Sequence, residues 1–239
     1  MTSSSVALVT GANKGIGLEV ARGLLTAGCT VLVGARDSEA GRRAAGDLGR
    51  EARAIELDVL RPATVAAAAD RVGAEFGRLD ILVNNAGIVA SGDGPPGQAD
   101  LAAVRSVLET NFLGTAAVAQ AMLPHLRAAP AARIVNVSSG LGSLVHNADP
   151  DWEFASVKPL GYCASKAALN MLTVQLAWEL RSTAIKVNAA DPGYTASDLN
   201  GHRGTQTVEQ GAEVVIRLAL LNGDGPTGGF FHRDGTHPW

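Results

Sequence analysis

The chain is predicted to fold as an α/β protein, a doubly wound parallel sheet between two layers of helices in a single domain. Three observations carry that expectation. Short runs rich in branched apolar residues alternate with longer amphipathic segments, the pattern of strands joined by crossover helices. Those runs are apolar almost throughout, as in strands covered on both faces. Long interruptions rich in Gly and Pro follow strands directly, at the sheet edge where open α/β proteins bind ligands.

Taken in order, residues 6–10 (VALVT) read as the first strand, and a glycine-rich turn opens a helix over 15–27. Residues 30–35 and 52–57 follow as strands, separated by a helix over 39–48. A helix is expected over 62–76. The fourth strand, 81–84, runs into 91–98 (SGDGPPGQ), too rich in Gly and Pro to be helical. A long helix is expected over 101–128, then a strand over 132–138 and an irregular stretch over 140–161 with Pro150, Trp152, Phe154 and Pro159. A helix over 162–181 leads to the sixth strand at 184–189, the irregular stretch 191–206 and a last helix over 208–221. The Gly- and Pro-rich tail holds a short strand at 229–231. No repeat and no long linker divides residues 1–239.

Composition excludes several classes of function. With a net charge of −3, the chain has no global positive field for nucleic acid or an anionic membrane. The longest uncharged stretch, 110–126, contains Asn111, Thr115, Gln120 and Pro124 and makes a poor membrane span. Cys29 and Cys163 cannot build a disulfide framework, and the histidines at 125, 146, 202, 232 and 237 include no pair at ligand spacing, so no metal is expected. The start, Met1 to Ser5, lacks the basic region of a secretory leader, so a cytoplasmic protein is expected.

Two motifs carry chemistry. Residues 10–17 read T-G-A-N-K-G-I-G between the first strand and the first helix. Glycines let the backbone approach a pyrophosphate there, and free N–H groups at the helix start face its charge. Tyr162 and Lys166 are spaced to share one face at the start of a helix. A free phenol has a pKa of about 10, and lowering it by ~3 units takes roughly 4 kcal/mol, which a neighbouring ammonium helps to supply. Such a tyrosine serves as general acid towards a carbonyl or as base towards an alcohol.

The G-x-x-x-G-x-G spacing of Gly11, Gly15 and Gly17, followed by Asn84-Asn85-Ala86-Gly87 and then Tyr162-Cys163-Ala164-Ser165-Lys166, resembles the compact short-chain dehydrogenases/reductases. The likeness runs from about Val6 to Gly193, and Lys14 with the long gap before Tyr162 is similar to the carbonyl reductases of that family. It implies one Rossmann-like catalytic domain that moves a hydride between a nicotinamide cofactor and a carbonyl or alcohol. It also implies a catalytic set of Asn111, Ser139, Tyr162 and Lys166. Ser139, the second serine of Asn136-Val137-Ser138-Ser139, would hydrogen-bond the reacting oxygen. Ser138 is expected to support the backbone, and Asn111 to break its helix locally and hold a water leading from Lys166 to solvent.

For the cofactor, the resemblance implies contacts from Gly11, Asn13, Lys14, Gly15, Ile16 and Gly17 in the turn, and from Asp58 and Val59 after the third strand. Asn85, Ala86 and Gly87 would lie beneath it, Tyr162 and Lys166 at its ribose, and Pro192, Gly193, Thr195 and Ser197 at the carboxamide. Ala35 falls where NAD-specific relatives carry an acid, and Arg36 with Lys14 would face a 2′-phosphate, so NADP(H) is favoured over NAD(H). Asp37 also lies about 20 residues beyond the turn and would favour NAD if the second strand ran longer.

The substrate side is less defined. Ser139 and Tyr162 are 23 positions apart, so the segment 146–159 should sit over the nicotinamide mouth, with Trp152 and Phe154 as wall or as loop anchors. His146 reads as a surface residue of that loop, and 199–205 as an opposite lip. A small-molecule carbonyl or alcohol is the expected partner. A homodimer or homotetramer through the two long helices is expected, with Val118, Met122, Leu169, Leu172 and Leu176 equally suited to the core. A non-catalytic dinucleotide sensor would have shed Tyr162 or Lys166, and an epimerase would need a further domain after Pro192.

Overall fold

The computed structural model describes residues 4–239, so the expectation about a leader falls outside it for residues 1–3. Eight strands form one sheet in the order β3-β2-β1-β4-β5-β6-β7-β8. They are β1 (Val6–Thr10), β2 (Thr30–Ala35), β3 (Ala52–Glu56), β4 (Ile81–Asn84), β5 (Arg133–Val137), β6 (Lys186–Ala190), β7 (Phe230–His232) and β8 (Gly235–Thr236). All neighbours pair in parallel except β7 and β8. The last, antiparallel strand was not foreseen, because a two-residue strand at Gly235–Thr236 has no periodicity to read.

Period-two geometry explains the two cores. In β1, Leu8 packs to one face with Val65 and Val72 of α3 (Pro62–Phe76) and Val118 and Met122 of α5 (Thr115–Ala128). Its neighbours Ala7 and Val9 pack to the other face with Val20 and Leu24 of α1 (Gly15–Thr26) and Val214 and Leu218 of α8 (Val208–Ala219). The helix α2 (Ser38–Leu48) joins the second layer, and α7 (Leu160–Glu179) joins the first through Leu176. The chain winds outward from β1 to β3, returns to β4 and winds the other way. That reversal leaves a crevice beyond the carboxyl ends of β1 and β4, where such folds bind nucleotides.

Most boundaries fall within two residues of expectation, the ordinary scatter of element ends. Two regions differ in kind. The long helix is α4 (Leu101–Leu108) and α5 joined by a π-helical segment, Glu109–Gly114, which contains Asn111 as the local break required. The stretch read as irregular contains a short helix, α6 (Leu144–Ala148), capped by Ser143, whose hydroxyl accepts from His146 N–H at 3.1 Å. Val118, Met122, Leu169 and Leu176 are buried inside the chain, so they serve its own core and say nothing for an oligomer.

Candidate active site

The glycine turn lies at the reversal point. Lys14 is the N-cap of α1 and offers no side-chain cap, so the first N–H groups of the helix are left to an external acceptor. Gly15 has φ +58 and no atom within 4 Å of where a Cβ would stand, which leaves an open face beside those donors. Gly17 is required for the opposite reason: a Cβ would collide with Asn85 Nδ2 and the Gly11 carbonyl. Turn and β4 are tied together, since Asn85 Nδ2 donates to the carbonyls of Thr10 and Gly11 at 2.9 and 3.2 Å. Thr10 Oγ1 in turn accepts from the N–H groups of Asn85 and Ala86. Sequence reasoning missed Thr10 because a threonine ending a strand carries no signal of its own.

Beyond β2, Arg36 is exposed and, among the described residues, has no ion-pair or hydrogen-bond partner. Asp37 instead caps α2, accepting from the N–H groups of Glu39 and Ala40 at 2.9 and 3.1 Å. Those two bonds hold its carboxyl below the ordinary range. Lys14 pairs with Asp198 at 2.6 Å. After β3, Asp58 Oδ1 accepts from Leu60 N–H, and Val59 packs on Gly114 of the π segment. Asn13 and Ile16 are partly buried along the same turn.

The structure brings Ser139, Tyr162 and Lys166 together at the ends of β5 and α7. The Ser139 hydroxyl is near enough to the Tyr162 phenol to favour its ionised form, and Lys166 Nζ lies 5.6 Å from the centre of that ring. Lys166 is buried and donates to the Val137 carbonyl at 2.7 Å. Burial pushes its pKa down to about 8, against the pull of Asp191. Tyr162 moves up from its ordinary 10.0, through burial first and then the negative charge of Asp191, while Ser139 pulls the other way. In the chain alone, then, burial and Asp191 both favour the protonated phenol. Ser138 donates to the Asn170 side chain, to Oδ1 at 2.6 Å.

Asn111 is held at both ends of its side-chain amide. Its Nδ2 donates to the Ile88 carbonyl and to Ser165 Oγ, and its Oδ1 accepts from Ile88 N–H. It pins the segment after β4 to α7, and Gly87 lies against both Asn111 Oδ1 and Lys166 Nζ. Asp93, in the loop read only as Gly- and Pro-rich, was missed. Its two carboxylate oxygens accept from Gly161 and Tyr162 N–H at 2.7 and 2.8 Å, capping the helix that carries the tyrosine.

Pro192 is buried and Gly193 exposed at the end of β6. The Thr195 hydroxyl is buried and turned into its own loop, donating to the Pro192 carbonyl at 3.1 Å. Ser197 and Asn200 form a capping box on the next turn. Over the cleft, Trp152 stacks on His146 at 5.0 Å and meets Phe154 edge-on at 5.4 Å, and Phe154 reaches Tyr194 at 5.9 Å. An aromatic row thus joins the segment before Tyr162 to the one after β6. His146 is not a loop surface residue: it is partly buried and its Nε2 lies 2.9 Å from His237 Nδ1.

Residues 5–208 match the family description short chain dehydrogenase. The chain belongs to that family. This short-chain dehydrogenase is 30% identical to a (+)-neomenthol dehydrogenase of Capsicum annuum, over 97% of the chain and 96% of the relative. It is 32% identical to carbonyl reductase [NADPH] 1 of Mus musculus, covering 100% and 99%. Among solved structures, the NADPH-bound carbonyl reductase from chicken fatty liver superposes with a TM-score of 0.86 at 30% identity, covering 99% of each chain. This member is an oxidoreductase by family, and among its described residues no helix is long and apolar enough to cross a membrane.

Proposed function

We propose that this short-chain dehydrogenase is an NADPH-dependent reductase of apolar cyclic ketones, with the reverse oxidation of their secondary alcohols as its other direction. The observation that carries the reading is the buried Lys166 set 5.6 Å from the Tyr162 ring and against Gly87, in the same segment after β4 whose Ala86 lies against Gly11 of the glycine turn. NADPH supplies the hydride when bound. Tyr162 gives its phenolic proton to the carbonyl oxygen, and the raised pKa keeps that proton in place at neutral pH. Ser139 donates to the same oxygen as charge grows on it. Lys166, near neutrality in its own proton affinity, holds a proton at Nζ beside the phenol.

The cofactor choice rests on Arg36, unpaired beyond β2, and on Asp37, whose carboxylate is committed to capping α2. The open face at Gly15 and the uncapped start of α1 suit a pyrophosphate. The aromatic row of Trp152, Phe154 and Tyr194 favours a flat or cyclic apolar body, consistent with a menthol-type relative and with carbonyl reductases among its kin. Tyr162→Phe tests the mechanism. It should lower kcat for ketone reduction by about 10³-fold and leave NADPH affinity within a few-fold, because only the proton donor is lost. Retained turnover in that variant would remove Tyr162 from the chemistry.

A further inference from the structure

The carboxylate that opposes tyrosinate is wired to a second set of groups. Asp191 follows Ala190, whose carbonyl accepts from Ser138 N–H at 2.7 Å, and Ala190 pairs with Val137, the residue that anchors Lys166. Its Oδ2 lies against Gly140, the neighbour of Ser139, where an added Cβ would be 3.2 Å away. One carboxylate oxygen accepts from Gly193 N–H at 2.9 Å; the other is 2.7 Å from His237 Nε2. His237 Nδ1 is 2.9 Å from His146 Nε2. The Asp191 and His237 side chains are only 12% and 15% exposed.

The hydrogen-bond pattern has a direction. A carboxylate only accepts, so His237 carries its proton on Nε2 and, when neutral, offers Nδ1 as acceptor. His146 must then donate from Nε2, leaving its Nδ1 as the free end of the chain. A proton arriving at His146 Nδ1 can be passed on: the Nε2 proton moves to His237 Nδ1, and an imidazolium then faces Asp191. Burial and the neighbouring His237 keep charge off His146 itself. Ring contacts flank the path, with Trp152 stacked on His146, and Phe230 and His232 tilted against His237 at 4.9 and 4.5 Å.

We propose that Asp191, His237 and His146 form a relay that holds one exchangeable proton and so decides whether a bare carboxylate stands against Gly140, next to the catalytic Ser139. The proposal rests on the reading of Tyr162 as proton donor. Empty of that proton, the relay is negative and keeps the phenol protonated, the state that reduction needs; loaded, it is neutral and that restraint is gone. The charged or titratable groups around it are Tyr162 and Lys166 from α7, Asp149 after α6 and His232 from β7. Arg217 of α8 is bonded to the carbonyls of His232 and Arg233. Asp191 is a positioning residue here, acting through the phenol.

The chain has two tyrosines, so in a Tyr194→Phe background the near-ultraviolet tyrosinate band reports Tyr162 alone. This protein and its Asp191→Asn variant would be titrated free and with NADP⁺, alongside histidine ring NMR. Asparagine can keep the bond to Gly193 N–H and, with His237 in its other tautomer, the bond to His237. The relay predicts that Asp191→Asn ionises Tyr162 at least tenfold more readily, about one pH unit earlier, and moves the alkaline limb of ketone reduction with it. His237→Gln, able to donate to Asp191 but not to take a proton, should keep the late ionisation and remove the titration that His146 shares with His237. Coincident Tyr162 curves in parent and Asp191→Asn, or independent titration of the two histidines, would overturn the relay. Absence of ketone reduction with these spectroscopic shifts intact would instead overturn the reductase reading.

Discussion

Lys166 shows most plainly how a single residue is held at a cost in stability for the sake of chemistry. It is 5% exposed, and its pKa of about 8 lies below the 10.5 of a free lysine. Below about pH 8 the ammonium is charged in folded and unfolded chains alike, and the burial penalty applies in full. Between the two values the folded chain has released a proton that the unfolded chain still holds, so stability rises with pH through that window. The shift corresponds to on the order of 3 kcal/mol. Lys166→Met should therefore stabilise the fold at neutral pH by about 1–2 kcal/mol, once the lost bond to the Val137 carbonyl is set against the gain. It should also flatten the rise above pH 8, while turnover collapses. Thermal unfolding across pH measures this, and an unchanged or lower Tm at neutral pH would refute it. Tyr162 and Lys166 were legible because their spacing on α7 is local, and Ser139 through the motif resemblance that the Asn136–Ser139 run completes. Asp191 and His237 were not, because their contact joins residues 46 positions apart and neither stands in a pattern.

At the scale of elements, α7 is the part whose placement the site depends on most. Its first turn, with Tyr162 on it, is capped from outside by Asp93 rather than by a residue of its own, since Pro159 makes no side-chain cap. Asp93→Ala should cost about 1–2 kcal/mol of stability, as loss of a charged helix cap does. It should also reduce kcat more than it raises KM for NADPH, because the tyrosine rather than the glycine turn is loosened. Steady-state kinetics with thermal unfolding would check both, and a KM effect alone would contradict the assignment. The loop holding Asp93 was recognisable as irregular from its glycines and prolines, but its composition could not say which helix it would meet. The π segment at Glu109–Gly114 was foreseen only as a break at Asn111. Its form follows from three hydrogen bonds to Ile88 and Ser165, partners that no helical periodicity reveals.

The whole molecule divides into a legible half and a hidden one. Alternating apolar runs were enough to read the parallel sheet from β1 to β6, because strands covered on both faces leave that imprint. Beyond β7, whose strand was expected, the carboxyl-terminal tail was not readable: β8, Trp239 stacked on Phe230 and the bond from Val145 N–H to the Trp239 carbonyl carry it back over α6. Those contacts tie the long segment before Tyr162 to the tail, with Trp152 packed on His146 and Phe154 on Trp152. Sheet and glycine turn meet at one crevice, and the central claim is that it takes NADPH to reduce a ketone. The most direct measurement is a fluorescence titration of the purified protein with NADPH and with NADH, followed by nicotinamide oxidation in the presence of cyclic ketones. Binding of NADPH at least about 10-fold tighter than NADH, with consumption on a cyclic ketone, is the predicted result, since Arg36 has a 2′-phosphate to bind only in NADPH. Tighter binding of NADH, or binding of neither, would contradict it.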